Sequence, residues 1–549
     1  MGDLAFPSSY CGIAVYGTLD WQANKISRYL QDGFSIFVDT QQTFTYYNSM
    51  QINIQKKWHW VAGGAFALLF LSLLSFRLGL FSENTSADRK INRGVAILPE
   101  KEAWFSIFQE GRKIGYARRR FLPTKSGYRL TEAVFLRINT MGVVQALRFR
   151  TEGDLDSRMV LKSFNFDLNS GLFSFDARGE VRDGLLILYA GLPGEKKKME
   201  IDLPEPLHLS AGIFEISPFA GLKPGESRTL HVFDPVSMGE RPVTVTLSRG
   251  EETLLHRGKK RRARKVSVNF MGAEQFAWLG EDGAVLKEKG ILGITLEEAP
   301  RQEALEGIDQ GGSGDLTDIA SIPANKTIND PETIVELRVK LNNLGKGGYF
   351  LNGDRQALQK NVLTIRKETL PVMIRRGKIG KESPSLKPSP LIQCDHPLIA
   401  GKAREIVSES DGDEEKARKI VNWVSKNIKK RPVLSVPNAL ETLTNLVGDC
   451  NEHAVLVAAL ARAAGIPAEA EAGLVYLRGR FYYHAWNVLY LGDWVTADAV
   501  LGQMPADVTH IRFVRGGVDR HMDLLGLIGR LRIEILDDLR ATDSDAPHR

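Results

Sequence analysis

The chain is 549 residues long, 43% of them hydrophobic and 25% charged, and its formal net charge at pH 7 is +6. This length exceeds what one hydrophobic core can organise, so roughly two to four domains are expected. The composition excludes a disordered or collagen-like protein, and the small net charge gives no case for nucleic-acid binding. The three cysteines form no CxxC pair, so a disulfide framework is excluded and we expect neither a metal site nor a cofactor.

An apolar segment near the N-terminus predicts a membrane anchor. Residues 61–76 contain no charged side chain, and the apolar stretch 58–81 has 24 residues, enough to span a hydrocarbon core of ~30 Å as a helix. The alternative is a buried core helix, but such helices are rarely apolar on every face for this length. No small-residue cleavage site follows, which favours an uncleaved anchor over a removed signal peptide. We therefore predict a transmembrane helix at 58–81, with the following chain outside the cytoplasm, as in a periplasmic protein.

The N-terminal segment 1–57 precedes this predicted anchor. Lys56 and Lys57 lie directly before the apolar run, which favours an N-terminus inside the cell. Met50 opens MQINIQKKWHW, a sequence typical of the basic region of a targeting segment. We therefore expect Met50 as an alternative start of translation, which N-terminal mass spectrometry would test.

Residues 95–300 form the largest predicted unit, and their hydrophobic pattern has a period of two. In FNFDL, for example, Phe164, Phe166 and Leu168 share one face, and turn signals such as RDG and EDG separate the runs. This pattern predicts an antiparallel β-rich domain with one face packed and one face wet. Its basic run HRGKKRRARK, residues 256–265, could bind an anionic polymer or lipid headgroups, or be a solvated turn ahead of a strand.

A smaller β unit and an α+β unit follow in the chain. Residues 300–315 read as a linker, and residues 316–376 as a small β domain, because TIVELRVKL alternates apolar and polar positions. From about 395 to 515 the period changes to that of helices, and the helix CNEHAVLVAALARAAG is predicted to end at Gly465. Residues 516–549 are predicted to be a C-terminal tail. Three strands are expected inside the α+β unit, at about 468–477, 481–490 and 494–499.

The segment GDCNEHA, residues 448–454, contains the residue with the clearest chemical potential. It places Cys450 at a predicted helix start, where unpaired N–H groups and the helix dipole lower the pKa of a thiol. A cysteine nucleophile also needs a base, and the base needs an orienting group. His484 lies among aromatic residues in the strand FYYHAWNVLY, and Asp498 lies in the next strand, WVTADA. We therefore predict Cys450, His484 and Asp498 as nucleophile, base and orienting carboxylate.

Each of these residues also has a structural interpretation. Cys450 could fill a gap between helix and sheet, a histidine within a strand is often structural, and Asp498 could cap a strand end. His453 competes as the base, because it lies one helical turn after Cys450. A disulfide between Cys394 and Cys450 would block the nucleophile. The backbone N–H of Cys450 is one expected oxyanion donor, and the side chains of Trp423 and Asn438 are two others between which spacing does not choose.

Several of these segments resemble the transglutaminase-like superfamily. The resemblance rests on G-D-C-x-E-H-A, on R-A-A-G-I-P, on the H-A-W strand, and on a W-x-x-x-D strand running into G-Q and PADVTHIRF, and it covers roughly residues 400–513. It implies a papain-like core in which Cys450 is the nucleophile, His484 the general base, and Asp498 the residue that orients the imidazole. The strand reads TADAVLGQ where many relatives have proline after the aspartate. FQEGRKIGY and WLGEDGAVLKE resemble the front part of some bacterial relatives more weakly.

The function implied by this resemblance is acyl transfer. A thiolate attacks an amide, forms a thioester, and passes the acyl group to water or to an amine. We therefore predict a multidomain, membrane-anchored enzyme of the transglutaminase, protease or amidase type, with antiparallel β-rich middle domains and a C-terminal papain-like core, acting on a peptide or protein outside the cytoplasm. The alternative is a catalytically inactive scaffold for binding or assembly in the cell envelope. The substrate, the acceptor and the oligomeric state stay open.

Overall fold

The structure is a computed structural model that describes residues 100–540, apart from 172, 193–194, 204, 217–221, 271, 346, 371–376, 378 and 381. The described residues belong to one compact unit. The predicted anchor at 58–81 and the segment 1–57 lie outside the described residues. Within the described part of the chain, no helix has the length and apolar character needed to cross a membrane.

A single large sheet of 15 strands occupies residues 101–299, in agreement with the predicted β-rich domain. The sheet runs from β8 down to β1 and then from β15 down to β9, so consecutive strands are neighbours within each half, whereas β8 and β9 lie at opposite edges. The neighbours pair antiparallel, except that β9 pairs in parallel with β10. The strands are β1 (Lys101–Gln109), β2 (Arg112–Thr124), β3 (Gly127–Thr140), β4 (Val143–Leu155), β5 (Leu161–Asn169), β6 (Ser174–Arg182), β7 (Leu185–Leu192), β8 (Glu195–Asp202), β9 (Leu207–Leu209), β10 (Ser227–Asp234), β11 (Gly239–His256), β12 (Lys259–Phe270), β13 (Ala273–Leu279), β14 (Val285–Lys289) and β15 (Ile294–Ala299).

Local sequence explains the hairpins of this sheet. The predicted RDG turn joins β6 to β7, where Asp183 and Gly184 have φ values of +50° and +77°. Positive φ at both central residues matches the right-handed twist of the strands, and glycine adopts it without steric cost. On β5 the predicted apolar face of Phe164, Phe166 and Leu168 is buried. The alternation of the sequence therefore sets which face of the sheet is packed.

The basic run 256–265 spans a tight turn and the first half of β12. Arg257 and Gly258 have φ values of +49° and +71°, and β12 begins at the next residue. Two of the arginines, Arg262 and Arg264, form ion pairs with Glu251 on β11. The turn predicted ahead of a strand covers only Arg257 and Gly258, and the rest of the run from Lys259 onward belongs to β12 itself. The ion pairs with Glu251 neutralise part of its charge within the sheet.

Three smaller sheets, of five, four and two strands, and several helices make up the rest of the described chain. The additional strands are β16 (Ile322–Pro323), β17 (Ile334–Asn342), β18 (Gln356–Gln359), β19 (Val362–Arg366), β20 (Lys429–Lys430), β21 (Val447–Gly448), β22 (Ala468–Leu477), β23 (Arg480–Tyr490), β24 (Trp494–Ala497), β25 (Ile511–Arg515) and β26 (Arg532–Arg540). The helices are α1 (Ile213–Ile216), α2 (Arg301–Leu305), α3 (Leu316–Ala320), α4 (Pro397–Ile406), α5 (Asp413–Asn427), α6 (Ala439–Asn445), α7 (Cys450–Ala463) and α8 (Val518–His521), with 3-10 turns at Pro331–Thr333, Pro384–Leu386 and Met522–Leu527.

The small β unit includes a strand from the end of the chain. Its sheet has the order β18-β19-β17-β26, so residues predicted as a tail from 516 onward supply an edge strand. Ile533 and Ile535 of β26 are buried in the same cluster as Leu337 and Val339 of β17. The apolar alternation in RIEIL explains the pairing, because it gives β26 one face to bury. The prediction of a separate C-terminal tail is therefore wrong for the residues of β26, which form a strand that completes this sheet.

The α+β unit surrounds a five-stranded sheet of order β16-β23-β22-β25, with β24 also paired to β23. Helix α7 is buried almost along its whole length and packs on β22 and β23 on one side and on α4, α5 and α6 on the other. It ends as predicted, since Gly465 follows with a φ of +84°. The three strands expected after this helix are present as β22, β23 and β24.

The long sheet contacts the α+β unit next to α6. The backbone N–H of Ser174 donates to Glu441 Oε1 at 3.1 Å, and Gln145 Nε2 donates to the Pro432 carbonyl at 3.0 Å. Phe173 forms a small apolar cluster with Val433 and Val447. This surface therefore joins the β5–β6 turn to the segment that leads to Cys450.

We expect the energy of this contact to depend on pH through Glu441. Burial raises the pKa of Glu441 from its ordinary 4.5 to about 7, and the N–H of Ser174 offsets this only in part. At pH values between these two pKa values, the folded protein keeps a proton on Glu441 that the unfolded chain has released. The contribution of this contact to the free energy of unfolding therefore falls as the pH rises and is lost above about pH 7. Glu441→Gln should be the more stable protein above about pH 7, by up to about 3 kcal/mol. Melting temperatures of both proteins between about pH 5 and pH 8 test this, and a constant difference would contradict it.

Candidate active site

Helix α7 begins at Cys450, and the preceding residues fix this start. The Asp449 side chain accepts from the Asn451 N–H at 2.9 Å, while Glu452 Oε2 accepts from the Asp449 N–H at 2.9 Å, which forms a capping box. A Cβ atom at Gly448 would lie 2.3 Å from Glu452 Cβ, so this position requires glycine. The sequence GDCNE therefore sets Cys450 as the first helical residue, where its backbone N–H has no intrahelical acceptor.

Cys450 lies beside an open stretch of the edge of β23. On one edge β23 pairs fully with β22, and on the other it pairs with β16 at residues 480–481 and with β24 from residue 487 onward. The residues between these two short strands leave room for the helix start. The backbone N–H of Ala485 hydrogen-bonds the Cys450 thiol there. The nucleophile predicted from sequence thus contacts the residue that directly follows the predicted base.

His484 lies in this stretch of β23 and is oriented by Asp498. Its Nε2 is 2.7 Å from Asp498 Oδ2, and its ring stacks against Trp486 with centroids 6.1 Å apart. An ionised carboxylate only accepts hydrogen bonds, so Nε2 carries the proton of the neutral ring and Nδ1 has the lone pair. This is the tautomer that a base acting through Nδ1 requires.

Asp498 follows directly after β24 and is completely buried. Oδ1 accepts from the backbone N–H groups of Val500 and Leu501 at 2.7 and 3.1 Å, and Oδ2 accepts from both His484 and His510. Burial alone would raise the pKa of Asp498, but the charges and hydrogen bonds of the two histidines hold it well below its usual range. The carboxylate is therefore ionised and fixed by four donors.

His510 was not among the site residues predicted from the sequence. It lies just before β25, and its Nε2 is 3.0 Å from Asp498 Oδ2. Its Nδ1 is 3.2 Å from the backbone carbonyl and 3.4 Å from Oδ1 of Asp507. The motif PADVTHIRF marked this segment, but the spacing gave no reason to place its histidine against Asp498.

The surroundings of the Cys450 thiol favour its protonated form. Burial raises the pKa of the thiol well above its ordinary value, and the carboxylates of Asp449, Glu452 and Asp498 add to this rise. The hydrogen bond from the Ala485 N–H acts in the opposite direction but is outweighed. The helix start therefore does not by itself make Cys450 a thiolate, in contrast to the expectation from its position, because the acidic capping residues lie beside it.

His453 and Cys394 have other partners. Nδ1 of the buried His453 is 2.6 Å from the Asp449 backbone carbonyl. Burial lowers its pKa. Cys394 lies 3.7 Å from the Leu386 carbonyl oxygen and is not bonded to Cys450. The disulfide alternative is therefore not the state of this structure.

The two side chains considered as oxyanion donors lie on different helices. Trp423 on α5 packs with the helical cluster and has the Lys402 ammonium 5.4 Å from its ring centre, whereas Cys450 packs against the cluster shared by the four-stranded and five-stranded sheets. Asn438 caps α6 through Oδ1, which accepts from the N–H groups of Leu440 and Glu441. Its buried Nδ2 has no hydrogen-bond partner among the described residues. Of the two side chains, Asn438 is therefore the one with a buried donor that no described residue accepts from.

His484, Asp498 and His510 also bring three atoms within 4.8 Å of one another that could serve as metal ligands. Ligand atoms around a tetrahedral zinc ion are about 3.3 Å apart. The two separations to Asp498 Oδ2 are instead 2.7 and 3.0 Å, which are ordinary hydrogen-bond lengths. The geometry favours a hydrogen-bonded group over a metal centre.

Comparison with solved structures gives low overall similarity. A β-barrel-like protein with a domain of unknown function from Brucella abortus has 12% identity and a TM-score of 0.28, covering 37% of this chain and 96% of its own. A candidate cysteine protease from Cytophaga hutchinsonii has 17% identity and a TM-score of 0.24, covering 38% and 89%. A candidate protease from Parabacteroides distasonis ATCC 8503 has 11% identity and a TM-score of 0.17, covering 47% and 64%. At such scores these likenesses carry no argument.

The sequence comparison is more specific. Residues 400–499 match the family model of the transglutaminase-like superfamily, and this range contains Cys450, His484 and Asp498. No curated protein matches the chain. Residues 400–499 of the C-terminal α+β unit therefore match the transglutaminase-like superfamily, as the motifs predicted, and this match supports a general thiol-dependent hydrolase or acyltransferase type.

Proposed function

We propose that the protein is an enzyme in which Cys450, His484 and Asp498 act as a catalytic triad on amide bonds. The observation that carries this proposal is the 2.7 Å hydrogen bond between His484 Nε2 and Asp498 Oδ2. This bond fixes the tautomer of His484 in which Nδ1 is basic. The next residue of the strand, Ala485, binds the Cys450 thiol through its backbone N–H. A structural histidine would not need this combination of orientation, ionised partner and neighbouring thiol.

The reaction proceeds by nucleophilic catalysis. His484 Nδ1 takes the thiol proton while the Cys450 sulfur attacks the amide carbonyl carbon, and the backbone N–H of Cys450 donates to the developing oxyanion. The same proton then passes from His484 to the departing amine as the carbon–nitrogen bond breaks. The resulting thioester is attacked by water or by a second amine, whose proton goes to His484. The carbon–sulfur bond then breaks, and His484 returns this proton to the Cys450 sulfur.

The proton moves during the attack in this proposal. Since burial and the carboxylates of Asp449 and Glu452 raise the pKa of the Cys450 thiol, the thiol is protonated in the resting enzyme. His484 then acts as a general base during the attack, whereas other cysteine enzymes use a preformed thiolate. The reactivity of Cys450 should consequently depend strongly on His484.

We also propose that the substrate is a peptide or protein and that residues 58–81 anchor the enzyme in a membrane, with its α+β unit outside the cytoplasm. The support for the anchor is the uncharged run 61–76. Membrane fractionation of the full chain and of a chain lacking residues 1–81 would test this, and equal solubility of the two would contradict it.

Alkylation by iodoacetamide tests the triad without knowledge of the substrate. We expect the rate at Cys450, measured by mass spectrometry near neutral pH, to fall about tenfold or more in His484→Ala, because a thiol with a raised pKa has lost its base. His453→Gln is the matched control, since His453 is also buried within one turn of Cys450 but bonds to a backbone carbonyl.

The control decides between the two candidate bases. The proposal predicts that His453→Gln keeps a rate within a few-fold of the wild type. Alkylation of Cys450 at the rate of an ordinary thiol, unchanged in His484→Ala, would remove the enzymatic proposal and leave the inactive scaffold as the alternative.

A further inference from the structure

Asp498 holds two histidines, and the triad uses only one of them. We propose that His510 is a positioning residue that carries a positive charge and, through the shared carboxylate, sets the protonation of His484. This inference rests on the proposed function of Cys450 and His484. It assigns a role to a residue that touches Asp498 but not the reacting sulfur.

The hydrogen-bond geometry requires two donors on the His510 ring. Nε2 faces Asp498 Oδ2 at 3.0 Å, and Nδ1 faces two oxygens of Asp507 at 3.2 and 3.4 Å. A neutral imidazole has only one N–H, so one of these contacts would place a lone pair against an acceptor. The imidazolium satisfies both sides, and the ring is completely buried, so no water replaces a missing partner.

The carboxylates around His510 are themselves held in place. Asp498 and Gln503 exchange two backbone hydrogen bonds of 2.9 Å, and Gln503 Nε2 donates to Asp507 Oδ2 at 2.9 Å. Asp507 Oδ1 also accepts from the N–H and the hydroxyl of Thr509. These bonds close a ring through Asp498, Gln503, Asp507 and His510. The segment after β24 thus forms one rigid support for the triad carboxylate.

The charged groups facing His510 agree with this state. Asp498 and Asp507 contact the ring, and the ring of His484 lies with its centroid 5.9 Å away. The one cation directed at this residue, among those described, is Arg355, which donates to the His510 backbone carbonyl and pairs with Glu368 at 2.9 Å. Burial would lower the pKa of His510, but the bonds and charges of the two aspartates raise it to about 9.

A positive charge on His510 changes what Asp498 does for His484. Both imidazoles donate to the same oxygen, so the His510 charge offsets part of the stabilisation that Asp498 gives to a protonated His484. Removing this charge makes loss of a proton from the Cys450–His484 pair less favourable.

The pH dependence of alkylation at Cys450 tests this. His510→Gln keeps a donor for Asp498 but removes the charge, and we expect the acid-side midpoint of the rate to move upward by about one pH unit. Thr509→Val is the matched control, because it removes the hydroxyl that donates to Asp507 at 2.6 Å and leaves the His510 charge. It should show the wild-type midpoint.

Ring nitrogen-15 NMR of the wild-type protein gives a second measurement if His510→Gln does not fold. Both nitrogens of His510 should show imidazolium shifts at pH 7. A neutral His510 ring, or an unchanged midpoint in a folded His510→Gln, would overturn this inference even if His484→Ala slows alkylation. If Cys450 is alkylated at the same rate in the wild type and in His484→Ala, the proposed function is overturned instead. The NMR measurement would still decide the protonation state of His510.

Discussion

Replacing Asp498 by asparagine should reduce the iodoacetamide rate at Cys450 to that of His484→Ala, about tenfold or more below the wild type. An asparagine presents an NH₂ group and a carbonyl to two imidazole donors, and it has no charge to stabilise either ring. If its NH₂ faces His484, the His484 proton moves to Nδ1 and the basic lone pair moves to Nε2. The ring then faces the Cys450 thiol with the wrong nitrogen, and the same change slows serine enzymes by orders of magnitude.

A neighbouring buried aspartate provides the control for this change. Asp507→Asn alters a carboxylate of the same segment, but Asp507 bonds to Thr509 and His510 and not to His484. We expect it to lower the melting temperature while leaving the proton on His484 Nε2, so that most of the dependence on His484 persists. If Asp498→Asn retains the wild-type alkylation rate while folded, the orienting role assigned to Asp498 is wrong.

Much of the local structure around the site could be predicted from the sequence. The Gly-Asp pair before Cys450 predicted a helix start, and α7 begins there with a capping box. The segment FYYHAWNVLY predicted a strand that places His484 among aromatic residues, and the ring of His484 stacks on that of Trp486. These are short-range features, set by caps, turns and periodicity. The catalytic roles of Cys450, His484 and Asp498 stay predictions, because they depend on reactivity.

Other features depend on contacts that spacing does not encode. His510 is 12 residues from Asp498 in sequence, and its position requires the chain to turn back through Gln503 and Asp507. The strand β26 pairs with β17 across nearly two hundred residues, although the alternating Ile533 and Ile535 carried a signal for it. The raised pKa of the Cys450 thiol likewise follows first from its burial and then from three carboxylates assembled around it, which together outweigh the effect of the helix start.

The long sheet contains a second group of buried charges, unrelated to the site. Arg119 on β2 forms ion pairs with Glu132, Glu215 and Glu288 at 2.8, 2.6 and 2.7 Å, and all four side chains are about nine-tenths buried. Its guanidinium also lies 5.2 Å from the centre of the Phe105 ring. One cation thus satisfies three carboxylates, and burial raises the pKa of Glu288 even with Arg119 present. Buried charges of this kind are tolerated only while they are paired.

Replacing Arg119 by methionine should therefore lower the free energy of unfolding by about 3–5 kcal/mol, because it leaves the carboxylates buried without their cation. Urea unfolding followed by tryptophan fluorescence measures this. Arg129→Met is the matched control, since its pair with Asp154 at 2.7 Å is largely exposed and should contribute about 0–1 kcal/mol. Adding Glu288→Gln to Arg119→Met should restore part of the loss by removing one of the unpaired charges. Equal losses in Arg119→Met and Arg129→Met would show that the buried cluster does not hold the sheet together.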